Sequence, residues 1–566
     1  MPDQTDASYF AYAFEAKSIQ TYLLSGGKLR DIVGASDLLD ALCDGPDAIL
    51  DGAMATCGLS DKDFTRRAAG AIIVHCEKRK VLEAFRALWT LVFQQHLPGM
   101  DFADALGEGA SANAAIKGAT GKLVAARNRL APLVPLSSPL SQLSPRTGGP
   151  AVEISKIDGT SIDEATARRR HRTLVGPAVR DRLAKRFASD TMRNNSAKSY
   201  VWPKNLDAVD AADDSDEKAF LAPGENATIG VVHIDGSGIG KILLDLRQKL
   251  ERRQDAGPIF RAFSDAIASA MQISVQHAVD TILEPATIQS TDQSGRVIDI
   301  IPARPIVLAG DDVTIIVRGD LAIEFAEAAI AKFGEVSRIT LEKLWKDTKL
   351  DSKDLGTQLS AGGGIAFVQA KQPYDRAYRL AEDIAAYAKG VAKSLAKDKG
   401  EALPDGVLAF HRMTTSMFGL YEQDVIEREL TVTVDSTDKR LTAMPYTISS
   451  SSNDRPKLTD LRTLKDLLVE DQLSRGPLRH LADLFHGDAA TTAQRWQRFV
   501  TVSGDRNGQA GQEKLRSALQ NLGCIGTAAQ LSRNLDALFR NNPENIAVTP
   551  LYDAFQWTMV ARKWED

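Results

Sequence analysis

Two adjacent carboxylates, Asp311 and Asp312, stand between two apolar, β-branched runs in the segment 304–317, RPIVLAGDDVTIIV. Such runs on either side of a short Gly/Asp sequence predict a β-hairpin with a tight turn. Two unit charges about 4 Å apart repel by about 4 kcal/mol at an effective dielectric of about 20, so neighbouring fixed acids usually come with a cation. Hard carboxylate oxygens suit Mg²⁺ or Mn²⁺. The alternative is a solvated turn, in which Asp and Gly are common.

A third carboxylate precedes a glycine-rich loop in the segment 228–246, TIGVVHIDGSGIGKILLDL. The pattern predicts a buried strand that ends at Asp235, a turn containing Gly236, Ser237 and Gly238, and an amphipathic helix. Glycines let the backbone come close to a ligand, and free N–H groups at a helix start attract anions. The spacing matches neither the dinucleotide fingerprint nor the P-loop. It therefore indicates another kind of phosphate site, in which acids from two strands hold metal.

The elements that follow complete one α+β unit. The segment 359–370, LSAGGGIAFVQA, predicts a glycine-rich strand, and 374–393 predicts a helix with an apolar face and Lys389 near its end. The resulting order is a strand with an acid, a helix, an acidic hairpin, a helix, a glycine-rich strand and a helix. This is the order of a palm-type domain.

The motifs IDGSGIG, LAGDDVTIIV and SAGGGIAFVQAKQPYDRAYRLAEDIAAYAK resemble the second palm of the large polymerase-like subunit of type III CRISPR effector complexes. That palm is a relative of the GGDEF-type nucleotide cyclases. The resemblance implies that Asp235, Asp311 and Asp312 hold two divalent ions and that Lys389 meets a triphosphate. One position departs from the family, whose usual Gly-Gly-Asp-Asp here begins with Ala309.

The N-terminal part resembles the family's first palm. KLRDIVGAS, residues 28–36, is similar to a segment that faces the nucleotide pocket between the two palms, which implies that Ser36 binds a second nucleotide. In 65–89, Ala69-Gly70-Ala71-Ile72 stands roughly where the acidic hairpin stands later, but without acids. We interpret this as an internal duplication with a degenerate first copy. The candidate nucleotide-binding residues are thus Gly236, Ser237, Gly238, Gly310, Lys389 and Ser36.

The predicted fold class is α+β, with two palm domains of ferredoxin-like or GGDEF-like type, the first degenerate, and a C-terminal helical domain. We expect a first palm over 1–135, a linker with a small helical, basic segment over 136–225, a catalytic second palm over 226–420 and a helical domain over 421–566. The basic stretch 168–186, RRRHRTLVGPAVRDRLAKR, predicts either a track for a nucleic-acid backbone or a solvated helix face. It has no interleaved aromatic residues for base stacking.

Composition excludes some classes of protein. A 43% apolar fraction, 25% charged residues and a net charge of −5 describe an ordinary globular protein without an overall basic surface, so any nucleic-acid contact must be local. The four scattered cysteines contain no C-x-x-C pair, which favours a reducing cytosol, and we expect no zinc. No leader peptide or membrane-spanning run is evident, and the expected location is cytoplasmic. Since the first palm is expected to begin near residue 1, we expect this form to lack the family's HD nuclease.

The resemblance and the acids together predict a nucleotidyltransferase. The 3′- or 2′-hydroxyl of one ATP would attack the α-phosphorus of another, and the product would be a cyclic oligoadenylate, or a cyclic dinucleotide, that signals antiviral defence. The partners implied are ATP and either guide or target RNA with other CRISPR effector subunits, or further copies of the chain. The alternative is a non-catalytic subunit of a ribonucleoprotein complex that binds nucleotide or RNA.

Overall fold

The computed structural model is a mixed α+β fold with several sheets and many helices. It describes residues 9–26, 28–43, 48–68, 70–129, 140–156, 159–170, 182–203, 228–250, 253, 255–291, 295–370, 372–398, 406–413, 419–434, 437–448, 455–469, 489–524, 538–542 and 546–560. None of the helices in these ranges is both long enough and apolar enough to cross a membrane.

The first sheet has four antiparallel strands in the order β2-β3-β1-β4. Alternating side chains of β1 pack Tyr12 and Phe14 against Phe85, Trp89 and Phe93 of one helix. This aromatic cluster closes one face of the sheet. The strands are β1 (Tyr9–Ala16), β2 (Phe64–Ala68), β3 (Ala71–Cys76) and β4 (Phe102–Gly109). The helices are α1 (Ile19–Leu24), α2 (Leu29–Cys43), α3 (Ile49–Cys57), α4 (Arg79–His96) and α5 (Ala112–Arg127).

A connecting region of short elements follows, and it contains the described ends of the basic stretch. Arg169 is 2% exposed, Arg170 forms a bidentate pair with the buried Asp31 of α2 at 2.7 and 3.1 Å, and Arg186 pairs with Asp40 of the same helix. These arginines face inward because α2 carries buried acids. Neither the solvated face nor the exposed nucleic-acid track fits them. The elements are β5 (Ala151–Ile154), β6 (Ser161–Asp163), α6 (Glu164–Arg170), α7 (Arg182–Phe187), α8 (Asp190–Arg193) and β7 (Tyr200–Val201).

The second sheet has six strands in the order β11-β12-β8-β13-β14-β17, and long helices pack on it. β8 continues past the predicted end at Asp235 because its pairing with β13 extends to Ser237 opposite Ser360. The strands of this region are β8 (Thr228–Ser237), β9 (Ile288–Thr291), β10 (Val297–Ile300), β11 (Ala303–Ala309), β12 (Asp312–Arg318), β13 (Ser360–Gln369) and β14 (Val407–Arg412). The helices are α9 (Ile239–Leu250), α10 (Ala256–Ala278), α11 (Ala322–Asp347), α12 (Ser352–Leu355) and α13 (Tyr374–Asp398).

The two sheets share one topology. In the first sheet, β1 lies between β3, the second strand of a hairpin, and the antiparallel strand β4. In the second sheet, β8 lies in the same way between β12 and β13. A helix follows both β4 and β13. The hairpins also correspond, since Ala68 pairs with Ala71 across one turn and Ala309 pairs with Asp312 across the other. The register thus places Ala71 where Asp312 stands, one residue from the alignment expected from the sequence. The interpretation as a duplication agrees with this topology.

The C-terminal part is not wholly helical. It holds α14 (Leu458–Val469), α15 (Ala489–Asn521) and α16 (Leu551–Val560), together with a small sheet in the order β15-β16-β19-β18. Its strand β17 joins the second sheet beside β14, so that sheet extends past the predicted boundary at 420. The predicted boundaries at 135 and 225 lie outside the described residues. The strands are β15 (Thr431–Val434), β16 (Thr437–Arg440), β17 (Tyr446–Thr447), β18 (Arg540–Asn541) and β19 (Ala547–Val548).

Candidate functional site

The three predicted acids meet at one end of the second sheet. Asp235 on β8 and Asp312 on β12 are directly opposite each other in the antiparallel register. Side chains opposite each other lie on the same face with Cβ atoms about 4.5–5.5 Å apart. Asp311 occupies the hairpin turn, where its carbonyl accepts a hydrogen bond from the Gly236 amide at 3.2 Å. The pairing of β8 with β12 therefore brings together two acids, Asp235 and Asp312, that are 77 residues apart in sequence.

Two glycines make room for the functional side chains. A Cβ on Gly236 would stand 2.8 Å from the Cβ of Asp311, and a Cβ on Gly362 would stand 2.3 Å from the Cγ of Lys389. Gly362 is opposite Asp235 in the β8–β13 register, so its missing side chain lets Lys389 of α13 reach down to that acid. The Lys389 ammonium donates to Asp235 Oδ2 and, at 2.8 Å, to the carbonyl of Gly236.

The other predicted loop residues border the same acids. Gly310 precedes Asp311 with a φ of 65°, a left-handed conformation that glycine adopts without strain. Ser237 is buried at the end of β8, and Gly238 follows with a φ of 93° before α9 begins at Ile239. The strand, turn and helix follow one another in the predicted order, but Gly236 and Ser237 belong to β8 and not to the predicted turn, because they pair with β13.

Electrostatics distinguish the three acids. Burial and then the charge of Asp235 raise the pKa of Asp311 above its ordinary value. Burial, followed by the charges of Asp235 and Asp311, raises the pKa of Asp312 to about 8. The Asp312 side chain is 36% exposed, but its Oδ1 is buried and accepts no hydrogen bond within the described residues. Near neutral pH, Asp312 in this arrangement holds a proton, which a cation would displace.

Sequence reasoning missed a fourth acid. Glu382 of α13 raises the pKa of Asp312 through its charge, and it accepts a hydrogen bond from Gln20 of α1 at 2.6 Å. Glu382 precedes Lys389 by seven residues, two helical turns along one face, and this spacing could have indicated it. Its contact with Gln20 joins the first unit to the edge of the acidic site.

His233 is buried on β8 and makes structural contacts. Its Nδ1 lies 3.0 Å from Thr314 Oγ1 and 3.5 Å from Asp312 Oδ1, and its ring packs edge-on to Tyr378 of α13. Burial lowers the pKa of His233 to about 4, so the ring is neutral near pH 7. The neutral imidazole therefore lies beside Asp312 without adding a charge to the site.

Ser36 lies apart from the acids. Its side chain is 6% exposed, and its hydroxyl donates to the carbonyl of Ile306 on β11. The contact ties α2 of the first unit to the edge strand of the second sheet. The nucleotide-binding role of Ser36 stays a prediction.

The carboxylates are suitable ligands for a divalent ion, but their present arrangement does not suit one. The donors are hard carboxylate oxygens, the ligand type that Mg²⁺ or Mn²⁺ prefers, and one of them is a buried oxygen that accepts no hydrogen bond from the part of the chain that the structure describes. However, within the described residues no three or more His, Cys, Asp or Glu side chains form a set that could hold a metal ion. Lys389 lies on Asp235 and supplies the positive charge there. A metal ion at these acids would compete with Lys389 for Asp235.

Comparison with known proteins gives matches in structure alone. No protein-family model matches the chain, and no curated protein matches it. Among solved structures, the chain is similar to a Csm1–Csm4 cassette in complex with cA3, with 11% identity, 99% of this chain and 70% of that chain covered, and a TM-score of 0.41. It is similar to Csm1 of T. onnurineus, with 12% identity, 98% and 70% coverage and a TM-score of 0.42.

The apo Csm1–Csm4 cassette is a further match, with 12% identity, 99% and 70% coverage and a TM-score of 0.39. These Csm1 subunits belong to type III CRISPR complexes, the group whose palm motifs the sequence resembles. Because the TM-scores are near 0.4 and the identities near 12%, the similarity says nothing of the activity, which has to rest on the residues of the site.

Proposed function

We propose that the chain is a metal-dependent nucleotidyltransferase that joins ATP into a cyclic oligoadenylate or a related cyclic nucleotide. The second sheet with its helices would be the catalytic palm, and the first sheet a degenerate palm. One observation carries the proposal: Asp235 and Asp312 are opposite each other, Asp311 lies in the adjoining turn, and Lys389 of α13 reaches the same point. Acids on two strands with a lysine above them suit a metal-bound triphosphate.

The residues of the site would have different roles. Asp235, Asp311 and Asp312 would hold two divalent ions, which when bound activate the attacking hydroxyl and neutralise the departing pyrophosphate. The turn at Gly238 would place a phosphate beside the start of α9, whose free N–H groups favour an anion. Positioning and electrostatic stabilisation supply most of the catalysis in phosphoryl-group reactions, so the fixed carboxylates matter more than any proton donor.

Lys389 would change partner during binding. In the absence of ligand its ammonium offsets the charge of Asp235, which otherwise faces Asp312 across the strands. When divalent ions occupy the acids, that role ends and the ammonium becomes free to meet a phosphate. The side chain is 12% exposed and bends over Gly362, and in the proposed bound state it would turn toward the loop at Gly238.

The biological setting is also a proposal. Sequence motifs resembling a type III CRISPR palm support a role in antiviral defence, with guide or target RNA and other effector subunits as partners. Structures of the Csm1–Csm4 cassette in complex with cA3, with cA4 and with one ATP are among the matches to this chain. Those ligands are bound to Csm1–Csm4. An oligoadenylate product would agree with them.

A second candidate is a subunit that binds nucleotide or RNA without chemistry. The ion pair of Lys389 with Asp235 favours it, because the pair neutralises the site without a metal. Ala309 stands at the start of the turn where the family usually has glycine, and this departure also favours a subunit without chemistry. Tight ATP binding without Mg²⁺-dependent consumption would support this second function.

The deciding experiment incubates the purified chain with ATP and Mg²⁺ or Mn²⁺, alone and with added RNA or co-purified partner subunits, and identifies the products by mass spectrometry. Cyclic adenylates that require the divalent ion would support the nucleotidyltransferase. ATP that binds but stays intact under every condition, including in the partner-loaded complex recovered from cells, would support the binding subunit.

A further inference from the structure

The acidic site holds a cation of its own, the ammonium group of Lys389. This group donates to Asp235 Oδ2 and, at 2.8 Å, to the carbonyl oxygen of Gly236. Carboxylate and backbone carbonyl oxygens are also ligands of hard divalent cations. The ammonium group and a divalent ion therefore compete for Asp235.

The contact between Lys389 and Asp235 is part of the packing of α13 on the second sheet. Gly362 of β13 is opposite Asp235, and the stem of Lys389 lies over it. A Cβ on Gly362 would stand 2.3 Å from the lysine Cγ and 3.2 Å from its Cδ. Because water screens exposed ion pairs but reaches this lysine poorly, the pair is stronger than an ion pair on the surface.

The acid that Lys389 contacts is the one that faces the hairpin acids from the neighbouring strand. Asp235 is opposite Asp312, and the amide next to Asp235, that of Gly236, donates to the carbonyl of Asp311. The three carboxylates are suitable ligands for a divalent ion, yet no three or more such side chains in the part of the chain that the structure describes are arranged to hold one. The ammonium group on Asp235 accounts for this difference, because it contacts the acid that a metal ion would share with the hairpin acids.

We propose that Lys389 is an internal counter-ion that keeps divalent ions from the acids until a triphosphate binds the lysine instead. This inference rests on the proposed function, from which it takes the metal-bound triphosphate as the ligand. The ammonium group exchanges a carboxylate for an anionic phosphate oxygen, and Asp235 becomes available to the metal ion. Each ligand then raises the affinity for the other by the same factor. The acids thus bind divalent ions together with the nucleotide and not before it.

Mn²⁺ binding to the full chain without nucleotide, measured by the electron paramagnetic resonance of free Mn²⁺, tests the first half of this proposal. Lys389→Met removes the ammonium group and should bind Mn²⁺ roughly tenfold more tightly than wild type, since a charge-assisted contact no longer competes. Lys393→Met is the matched control, because it removes the same charge from an exposed position of α13 and should bind Mn²⁺ as wild type does. This measurement does not depend on turnover.

Gly362→Ala separates the contact from the charge. The added methyl group displaces the stem of Lys389 but leaves its ammonium group in the protein, so Mn²⁺ should again bind more tightly than in wild type. Gly390→Ala, where a Cβ meets nothing within 4 Å, is the control and should leave Mn²⁺ affinity unchanged. Melting temperatures show whether each variant is folded. Unchanged Mn²⁺ affinity of a folded Gly362→Ala overturns the proposal, and if that variant does not fold, Lys389→Met against Lys393→Met decides alone.

Calorimetric titration with ATP in the presence of a chelator of divalent ions tests the second half. Lys389→Met should bind metal-free ATP roughly tenfold more weakly than wild type, because the contact with phosphate is lost, whereas Lys393→Met should bind it equally well. One substitution thus strengthens Mn²⁺ binding and weakens ATP binding. A purely structural role of Lys389 would weaken both.

Equal Mn²⁺ affinity of wild type and Lys389→Met overturns the proposal, and so does an equal gain in Lys393→Met. It is also overturned if wild type binds no metal-free ATP, or if Lys389→Met weakens the binding of both ligands. Opposite shifts in a chain that makes no product from ATP would support the counter-ion and contradict the nucleotidyltransferase. Product formation with unchanged Mn²⁺ affinity would support the nucleotidyltransferase and overturn the counter-ion.

Discussion

Lys389 and Asp235, 154 residues apart in the chain, form an ion pair across the face of the second sheet. The first sheet carries a corresponding pair: Arg127 of α5 donates to Glu15 of β1 through its Nε at 2.8 Å. Glu15 is opposite Ala71, as Asp235 is opposite Asp312. The first unit thus carries one acid with its cation but has no acid in its hairpin turn. Without a second carboxylate, we expect no divalent-ion site there.

Replacing both hairpin acids should abolish the proposed activity and leave the fold intact. Each metal carboxylate is expected to lower the barrier by several kcal/mol, so Asp311→Ala with Asp312→Ala should reduce product below detection. Removing two acids of raised pKa also removes a repulsion, so the melting temperature should not fall. Product is measured by mass spectrometry and stability by thermal unfolding. Unchanged turnover in the double variant would refute the assignment of these acids.

Lys389→Met tests the proposed phosphate contact. Hydrogen bonds to charged groups contribute about 1.5–3 kcal/mol, so kcat/KM for ATP should fall roughly 10- to 100-fold. Lys393→Met is the matched control, since Lys393 is exposed on the same helix. Steady-state kinetics of both variants measure the effect. If Lys393→Met causes the larger loss, the phosphate contact belongs to Lys393 instead.

Gly362→Ala should act through Lys389 without altering it. The added methyl group would stand 2.3 Å from the Lys389 Cγ, so the lysine has to leave its path to Asp235. We expect a loss of kcat/KM similar to that of Lys389→Met. Gly390→Ala is the control, because a Cβ there meets nothing within 4 Å, and alanine in a helix interior is favoured over glycine by up to about 1 kcal/mol. Equal activity of both alanine variants would contradict the packing argument.

Arg170→Ala tests whether the basic stretch is structural. Both members of the Arg170–Asp31 pair are buried, and removing one partner of a buried pair costs about 3–5 kcal/mol. Urea unfolding should show that loss. Arg168→Ala, at a partly exposed arginine paired with Glu164, should change stability by no more than about 0.5 kcal/mol. A stable Arg170→Ala variant with weakened RNA binding would instead favour the nucleic-acid track.

Stability should fall as pH rises because of Asp553 in α16. Its Oδ2 accepts from the Tyr446 hydroxyl at 2.6 Å and from the Ala443 amide at 2.9 Å, and burial raises its pKa to about 7. An unfolded aspartate has a pKa of about 3.9, so between about pH 4 and 7 the folded chain keeps a proton that the unfolded chain releases. The contribution is complete below about pH 4 and is lost as pH rises through about 7.

Urea unfolding from pH 4.5 to 8.5 measures this effect. The free energy of unfolding of wild type relative to Asp553→Asn should decline across the range, since asparagine carries no titrating proton. Glu422→Gln, at an exposed acid of the same C-terminal part, is the control and should follow wild type. A constant difference between wild type and Asp553→Asn would show that Asp553 does not titrate in this range.

The sequence by itself determined the local elements and the identities of the candidate site residues. β-branched runs around Gly310 predict the hairpin, and the apolar stripe of Phe263, Ile267, Met271 and Val275 predicts the buried face of α10. Such patterns follow from the periods of strands and helices, which neighbouring residues alone establish. The acids and the lysine were therefore recognisable, and so was the α+β order of elements.

Only the tertiary structure decided which of these groups meet. Strand register places Asp312 opposite Asp235, and the packing of α13 on Gly362 brings Lys389 onto that acid while Glu382 reaches the same site. The inward direction of Arg170 depends on a buried acid, Asp31, 139 residues earlier. Contacts between distant segments depend on how whole elements pack, which no local period of the sequence contains.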